Sequence, residues 1–145
     1  MSDTEKSIAR VLQSYAAAVL AADVEAFMRL YDPRVRVFDA WGVWSYEGSA
    51  AWRRAVEGWF GSLGNEKVKV TFDDVQTSPG RESSMVTAVV TYAGVSAEGR
   101  ELRAMQNRLT WVLRTTDDLR IVHEHTSAPI GFTDSKAILQ REAAS

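Results

Sequence analysis

Asp39 is the residue whose type and setting point most directly to chemistry. It closes the alternating, β-branched run Val35–Asp39 and opens the segment Ala40–Gly48, which carries Trp41, Trp44 and Tyr46 around Gly42. A carboxylate among tryptophans loses water, so its pKa rises and it suits a general base. The alternative use is structural: an aspartate can bond its own backbone two residues on and hold a turn. Tyr15 falls on the apolar face of the first predicted helix and offers a phenolic donor toward the same interior.

A second group is aromatic. Trp41, Trp44, Tyr46, Trp52 and Trp59 lie within nineteen positions, and Trp111 is the only tryptophan outside this stretch. Aromatic walls suit a flat or apolar ligand fixed by a few polar groups. Trp52 and Trp59 are seven residues apart on one helix face, which is also how ordinary core looks. Trp41 and Trp44, on the loop, read as a pocket lid or as ordinary core at the mouth of the fold.

A third group sits late in the chain. A hairpin about Thr116-Asp117-Asp118 puts Arg108, Thr110 and Val112 on one face and Val122, Glu124 and Thr126 on another. If both are pocket faces, Arg108 and Glu124 lie deep and form either a structural ion pair or a polarising pair; such a pair must be hydrogen-bonded to be tolerated. His123 and His125, the only histidines, alternate with Glu124 and point outward as interface residues; with no third ligand nearby, no metal site is expected. There is no GxSxG, no phosphate-binding glycine loop and no HExxH.

These residues need elements to hold them. Ile8, Val11, Leu12, Tyr15, Val19 and Ala22 recur at three- and four-residue spacing and predict a helix over Thr4–Ala22, capped by Asp3 or Thr4. Asp23 caps a second helix, Val24–Leu30, which Tyr31-Asp32-Pro33 ends. A third helix is predicted over Ser49–Leu63. Strands follow at Lys67–Val75, Met85–Val95, Leu102–Arg114 and Leu119–Ser127, with antiparallel pairing because the connections are short. Residues 131–145 form a tail, partly helical over Thr133–Arg141. Helices first and strands after predict an α+β domain whose sheet curls around the helices.

In the strand Leu102–Leu113 both faces carry apolar groups. Leu109, Trp111 and Leu113 share the face opposite Arg108, so that face is either buried within the monomer or packed on a second copy. The second option, a homodimer through the outer sheet face, is the expectation, since no helix remains to cover it.

The run Tyr15–Asp23, then Phe27, Tyr31, Val37 and Asp39-Ala40-Trp41-Gly42, resembles the first half of a nuclear transport factor 2-like domain, a superfamily that includes ketosteroid isomerases and SnoaL-like cyclases. The stretch Trp111–Arg114 with Leu119–Pro129 is similar to the association domain of calcium/calmodulin-dependent kinase II, which shares its His-x-His-x-Ser pattern. The resemblance covers about residues 5–130 and implies a cystatin-like cone: about three helices in a curved antiparallel sheet. The spacing Tyr15, Asp23, Tyr31, Asp39 is similar to that of the isomerases and implies Asp39 as base and Tyr15 as oxyanion donor. The strand that should carry the isomerases' second acid reads Asn107-Arg108-Leu109-Thr110, which leaves Arg108 as the electrophile. Thr110 and Thr126 stand where arginines of the kinase domain line a carboxylate pocket.

Composition bounds the rest. The 145 residues suit one domain, 1–145, with 17 basic and 19 acidic side chains and no cysteine. No basic stripe suggests nucleic acid, and no apolar run approaches the ~20 residues of a membrane span. The polar start, Met1–Arg10, is unlike a signal peptide, so a cytoplasmic protein is expected. Two functions stand. One is a cofactor-independent isomerase, cyclase or hydratase that moves protons on a hydrophobic carbonyl compound: Asp39, Tyr15 and Arg108 act, and Trp41, Trp44, Tyr46, Trp52, Trp59, Tyr31, Thr110, Glu124 and Thr126 bind. The other is a ligand-binding or oligomerisation module without chemistry.

Overall fold

The apolar stripe around Tyr15 forms helix α1, Asp3–Ala21, in a computed structural model that describes residues 2–115 and 118–141. Its cap is Ser2 rather than Asp3 or Thr4. Ser2 Oγ accepts from the Glu5 amide at 3.1 Å while Glu5 Oε1 accepts from the Ser2 amide at 3.3 Å, the reciprocal Ser-x-x-Glu arrangement. Ala22 ends the helix in the left-handed region, with φ 50°. Asp23 then caps α2, Val24–Met28, through the Ala26 amide at 3.0 Å.

Strand β1 is longer than predicted, Tyr31–Phe38, and includes Pro33. Its ladder to the last strand is interrupted between Tyr31 and Arg36, which places the proline where no ladder donor is needed. Asp32, buried, receives the Arg34 amide and Arg114 Nη2 there. A short β2, Tyr46–Glu47, and helix α3, Ser49–Gly61, follow. Four strands complete the chain: β3 (Lys67–Ser78), β4 (Ser83–Val95), β5 (Glu101–Arg114) and β6 (Arg120–Ser127). The predicted turn at Thr116-Asp117-Asp118 has its first two residues outside the described set.

The sheet order is β2-β1-β6-β5-β4-β3. All neighbours are antiparallel except β1 and β6, which are parallel, so the sheet is mixed. The short-connection argument holds for β3 to β6; β1 meets β6 only after most of the chain has intervened, long enough for a parallel pairing. The parallel pairing aligns Val37 with Glu124 and Phe38 with His125.

The core joins the helix stripe (Ile8, Val11, Tyr15, Val19) and Trp52, Val56 and Phe60 of α3 to the inner face of the sheet. Val35, Val37, Val86, Val90, Leu109, Trp111, Leu113 and Ile121 supply that face. Leu109, Trp111 and Leu113 are therefore core of the monomer, and the dimer argument that placed them outside fails. The tail is not helical: Ile130 bridges Ala137, and Gln106 N donates to Leu139 O at 2.6 Å, laying the segment along β5. No helix among the described residues is long and apolar enough to cross a membrane.

Candidate functional site

A cavity of about 480 Å³ lies between α1, α3 and the inner sheet face. Strand parity decides what enters it. On β1 the inward residues are Tyr31, Val35 and Val37, and Asp39 continues the series at the strand's end. On β6 they are Ile121, Glu124 and Thr126. Ile121 and Glu124 are three apart because the ladder shifts there, pairing Val112 with His123 but Leu113 with Ile121. On β5, Trp111 stands opposite Glu124 and Val86, so Asn107, Leu109, Trp111 and Leu113 point inward.

That register turns Arg108 and Thr110 away from the cavity. Arg108 is exposed on the outer face and donates from Nε to Ser127 Oγ at 3.1 Å. Thr110 pairs with Thr87 and His125 on the same face. The Arg108–Glu124 ion pair does not form, and Arg108 cannot polarise a ligand in the cavity. One residue of register exchanges the faces of a strand, and with apolar groups on both faces of β5 the pattern favoured neither.

Asp39 and Glu124 both line the cavity. Asp39 Oδ2 accepts from the Trp41 amide at 3.2 Å, which is the turn-holding bond, and Oδ1 accepts from the Thr126 hydroxyl at 3.2 Å. Thr126 in turn accepts from the Ala40 amide at 2.9 Å. Burial raises the Asp39 pKa; the bonds from Trp41, Thr126 and Ala40 offset part of that. Holding a turn and facing a ligand are thus compatible uses of this one carboxyl.

Glu124 is 1% exposed. Its Oε1 accepts from the Tyr31 hydroxyl at 2.5 Å and from Trp111 Nε1 at 2.9 Å. Burial pushes its pKa up to about 7; the two donors pull against this and the Asp39 charge adds to it. A second acid is therefore present in the cavity, on β6 rather than on β5. On β5 the buried carboxamide of Asn107 faces the same cavity.

The Tyr15 and Tyr92 hydroxyls are 2.8 Å apart, one donating to the other, and both residues line the cavity. Burial first, and the Glu124 charge with it, raise the pKa of each, while the bond to Tyr15 pulls Tyr92 back in part. Both therefore stay protonated, and the hydroxyl that does not donate to its neighbour keeps a hydrogen for a ligand. Two buried polar atoms of the lining, Asn107 Oδ1 and Trp52 Nε1, have no hydrogen-bond partner among the described residues. Trp52 Nε1 lies beside the Tyr31 hydroxyl, close enough to favour its ionised form but outside hydrogen-bonding geometry.

Trp41, Tyr46, Trp52 and Trp59 form walls of the cavity. Tyr31 stands behind Glu124 rather than on the surface of the cavity, and Thr126 stands behind Asp39. Trp44 is 97% exposed and faces a separate depression with Phe38, Val43 and His125. It is no wall of the main cavity, because the loop turns it outward beyond Gly42, φ 84°. His123 and His125 flank Phe38, at ring separations of 5.0 and 5.5 Å.

Sequence reasoning missed Tyr92, Asn107 and the pair Arg103–Glu66 at the mouth, where Arg103 Nη1 and Nη2 each reach a Glu66 oxygen at 3.0 Å. Tyr92 was findable, since it continues the inward series Val86, Ala88, Val90. Among the described residues, no three His, Cys, Asp or Glu side chains converge to hold a metal.

The sequence profile of the SnoaL-like domain matches residues 8–131. No curated protein matches the chain. Solved structures with the same fold include a nuclear transport factor 2-like protein of unknown function from Pseudomonas putida KT2440, with TM-score 0.83 and 18% identity over 96% of each chain. Aln2 from a Streptomyces species has TM-score 0.78 and 13% identity, over 88% of this chain and 91% of its own. A Xanthomonas campestris protein assigned as a calcium/calmodulin-dependent kinase II association domain has TM-score 0.71 and 18% identity, over 84% and 85%. At these identities the likeness is one of fold.

Proposed function

The chain belongs to the SnoaL-like domain family, a small-molecule-binding fold, and from that premise we propose that it is a cofactor-independent acid–base catalyst acting on a hydrophobic carbonyl compound. One observation carries the reading: two carboxyl groups, both with raised pKa, line an aromatic cavity, and neither is paired with a cation among the described residues. Structural carboxylates are ordinarily ion-paired or hydrogen-bonded into a lowered pKa, whereas a poised base needs the opposite shift. Asp39 is the base that removes a proton next to the carbonyl. The Tyr15–Tyr92 hydroxyl pair donates to the oxygen as charge develops there. Glu124, near neutrality, takes up or returns the proton. Trp41, Tyr46, Trp52 and Trp59 hold the apolar frame. The reaction class is isomerisation, cyclisation or hydration. We assign the chain to the cytoplasm as a homodimer, without nucleic-acid or membrane partners.

Proton transfer can be followed without knowing the product. A panel of apolar cyclic ketones in deuterium oxide is watched by proton NMR for loss of signal next to the carbonyl. Wild-type protein should speed this exchange, and Asp39→Asn should slow it by about a hundredfold or more, the usual contribution of a positioned base. Equal exchange in Asp39→Asn with its fold intact removes the catalytic assignment. The second reading, a binding module without chemistry, draws on the likeness to the association-domain structure. It predicts ketones that raise the melting temperature and undergo no exchange.

A further inference from the structure

The charge balance of the cavity has its own consequence. Its lining includes three acidic residues, Asp39, Glu66 and Glu124, and one basic residue, Arg103. Arg103 is taken: both of its terminal nitrogens are bonded to Glu66 at 3.0 Å. Gly94 lies beneath it, and a Cβ there would come within 2.8 Å of Arg103 Nη1, so the glycine leaves room for the guanidinium to lie across β4 toward Glu66. Two carboxyls, Asp39 and Glu124, remain without a counter-charge among the described residues.

The groups that face Glu124 do not supply one. They are Tyr15 from α1, Tyr31 and Asp39 from β1 and its end, Tyr92 from β4, and the Trp111 indole from β5. Four are neutral and the fifth is acidic. A buried carboxylate in such a setting either keeps its proton or waits for a cation from outside.

The walls choose between these. Tyr15, Trp41, Tyr46, Trp52, Trp59 and Tyr92 line the same space. The faces of aromatic rings carry negative potential, which attracts organic cations and repels anions. A carboxylate or phosphate ligand would meet both free carboxyls and find the single guanidinium occupied. We propose that the cavity recognises an organic cation, a protonated or quaternary amine on an apolar frame, with Glu124 and Asp39 as its counter-charges and the aromatic rings as its walls. This concerns what the cavity holds and stands whether or not proton transfer follows. An ammonium group beside Glu124 keeps that carboxyl ionised and so available as a second base.

The test uses three probes of one shape and different charge: benzyltrimethylammonium, its neutral carbon isostere neopentylbenzene, and phenylmethanesulfonate. Binding to the full chain is followed by quenching of tryptophan fluorescence and by NMR shifts, in wild type, Glu124→Gln and Asp39→Asn. Circular dichroism checks that each variant is folded, and the wild-type pH dependence needs no variant. At about pH 8 the ammonium probe should bind at least roughly tenfold more tightly than either of the others. Its advantage should shrink several-fold by about pH 5.5, as Glu124, whose pKa is pushed up to about 7, takes up its proton. Glu124→Gln should cut ammonium binding roughly fivefold at the higher pH and leave the neutral probe unchanged. The proposal is overturned by a neutral or anionic probe that binds as well as the cation. It is equally overturned by a cation advantage that survives both substitutions and the pH change, or by no ammonium binding at millimolar concentration. A protein that binds the ammonium but fails the ketone exchange assay keeps this inference and loses the catalytic one.

Discussion

Glu124 is buried against its electrostatic interest, and that gives it a signature in stability. Its pKa rises from 4.5 to about 7 on folding. Below the unfolded value both states are protonated and burial carries no ionisation penalty. Between about pH 4.5 and 7 the unfolded chain gives up the proton and the folded chain keeps it, so stability falls as pH rises; above 7 the loss is complete. The full effect is on the order of 3 kcal/mol at about 1.4 kcal/mol per pKa unit. Asp39, also raised, adds a fall of the same sign. Glu124→Gln keeps an oxygen to accept from Tyr31 and Trp111 and removes the ionisation. Urea unfolding at about pH 5 and about pH 8 should therefore show a pH-dependent loss in wild type that is much reduced in the variant, which gains on wild type at the higher pH by about 1–3 kcal/mol. An identical slope in both proteins would mean that Glu124 does not titrate in this window.

At the scale of elements, what could be read from sequence and what could not divide along a physical line. The stripe on α1 was legible because a 3.6-residue period has one apolar face, and Tyr15 came with it. Asp39 was legible as the end of an alternating run. The faces of β5 were not, since Leu109, Trp111 and Leu113 alternate with Thr110 and Val112, and both sets suit a buried surface. Placing Arg108 beside Glu124 then chose the wrong parity. The ladder shift near Val122 hid a second fact: Ile121 and Glu124 face inward together although they are three residues apart. The corrected parity has a measurable form. Leu109→Ala, at 1% exposure, should cost about 2–5 kcal/mol. Arg108→Ala, its neighbour on the outer face, should cost within about 0.5 kcal/mol and leave ligand binding in the cavity unchanged. Denaturant midpoints of the two variants decide the matter; a costly Arg108→Ala beside a mild Leu109→Ala would restore the opposite register.

For the whole molecule, the consequence is a sheet dressed, among the described residues, on one side only. The core places α1, α2 and α3 against the inner face. The outer face of β4, β5 and β6 still carries Met85, 44% exposed, beside Val112, with Val89 and Val122 half-buried nearby. This is a weaker apolar surface than one made of Trp111 and Leu113, so the case for a second copy must rest on area. These three strands, about 4.8 Å apart and on average about twelve residues long at about 3.3 Å each, present roughly 550 Å² in projection. That approaches the ~800 Å² per partner of a standard interface once side-chain relief is included. A twofold pair would set Met85 and Val112 near their own copies, with His123 and His125 toward the Phe38 side. Light scattering at tens of micromolar should return twice the chain mass. Val112→Glu sets like charges near the axis and should give a monomer with unchanged circular dichroism, because Val112 takes no part in the monomer's core. A wild-type monomer would leave the outer face in water, where the predominance of Thr87, Thr91, Gln106 and Arg108 among its remaining residues would suffice to keep it soluble.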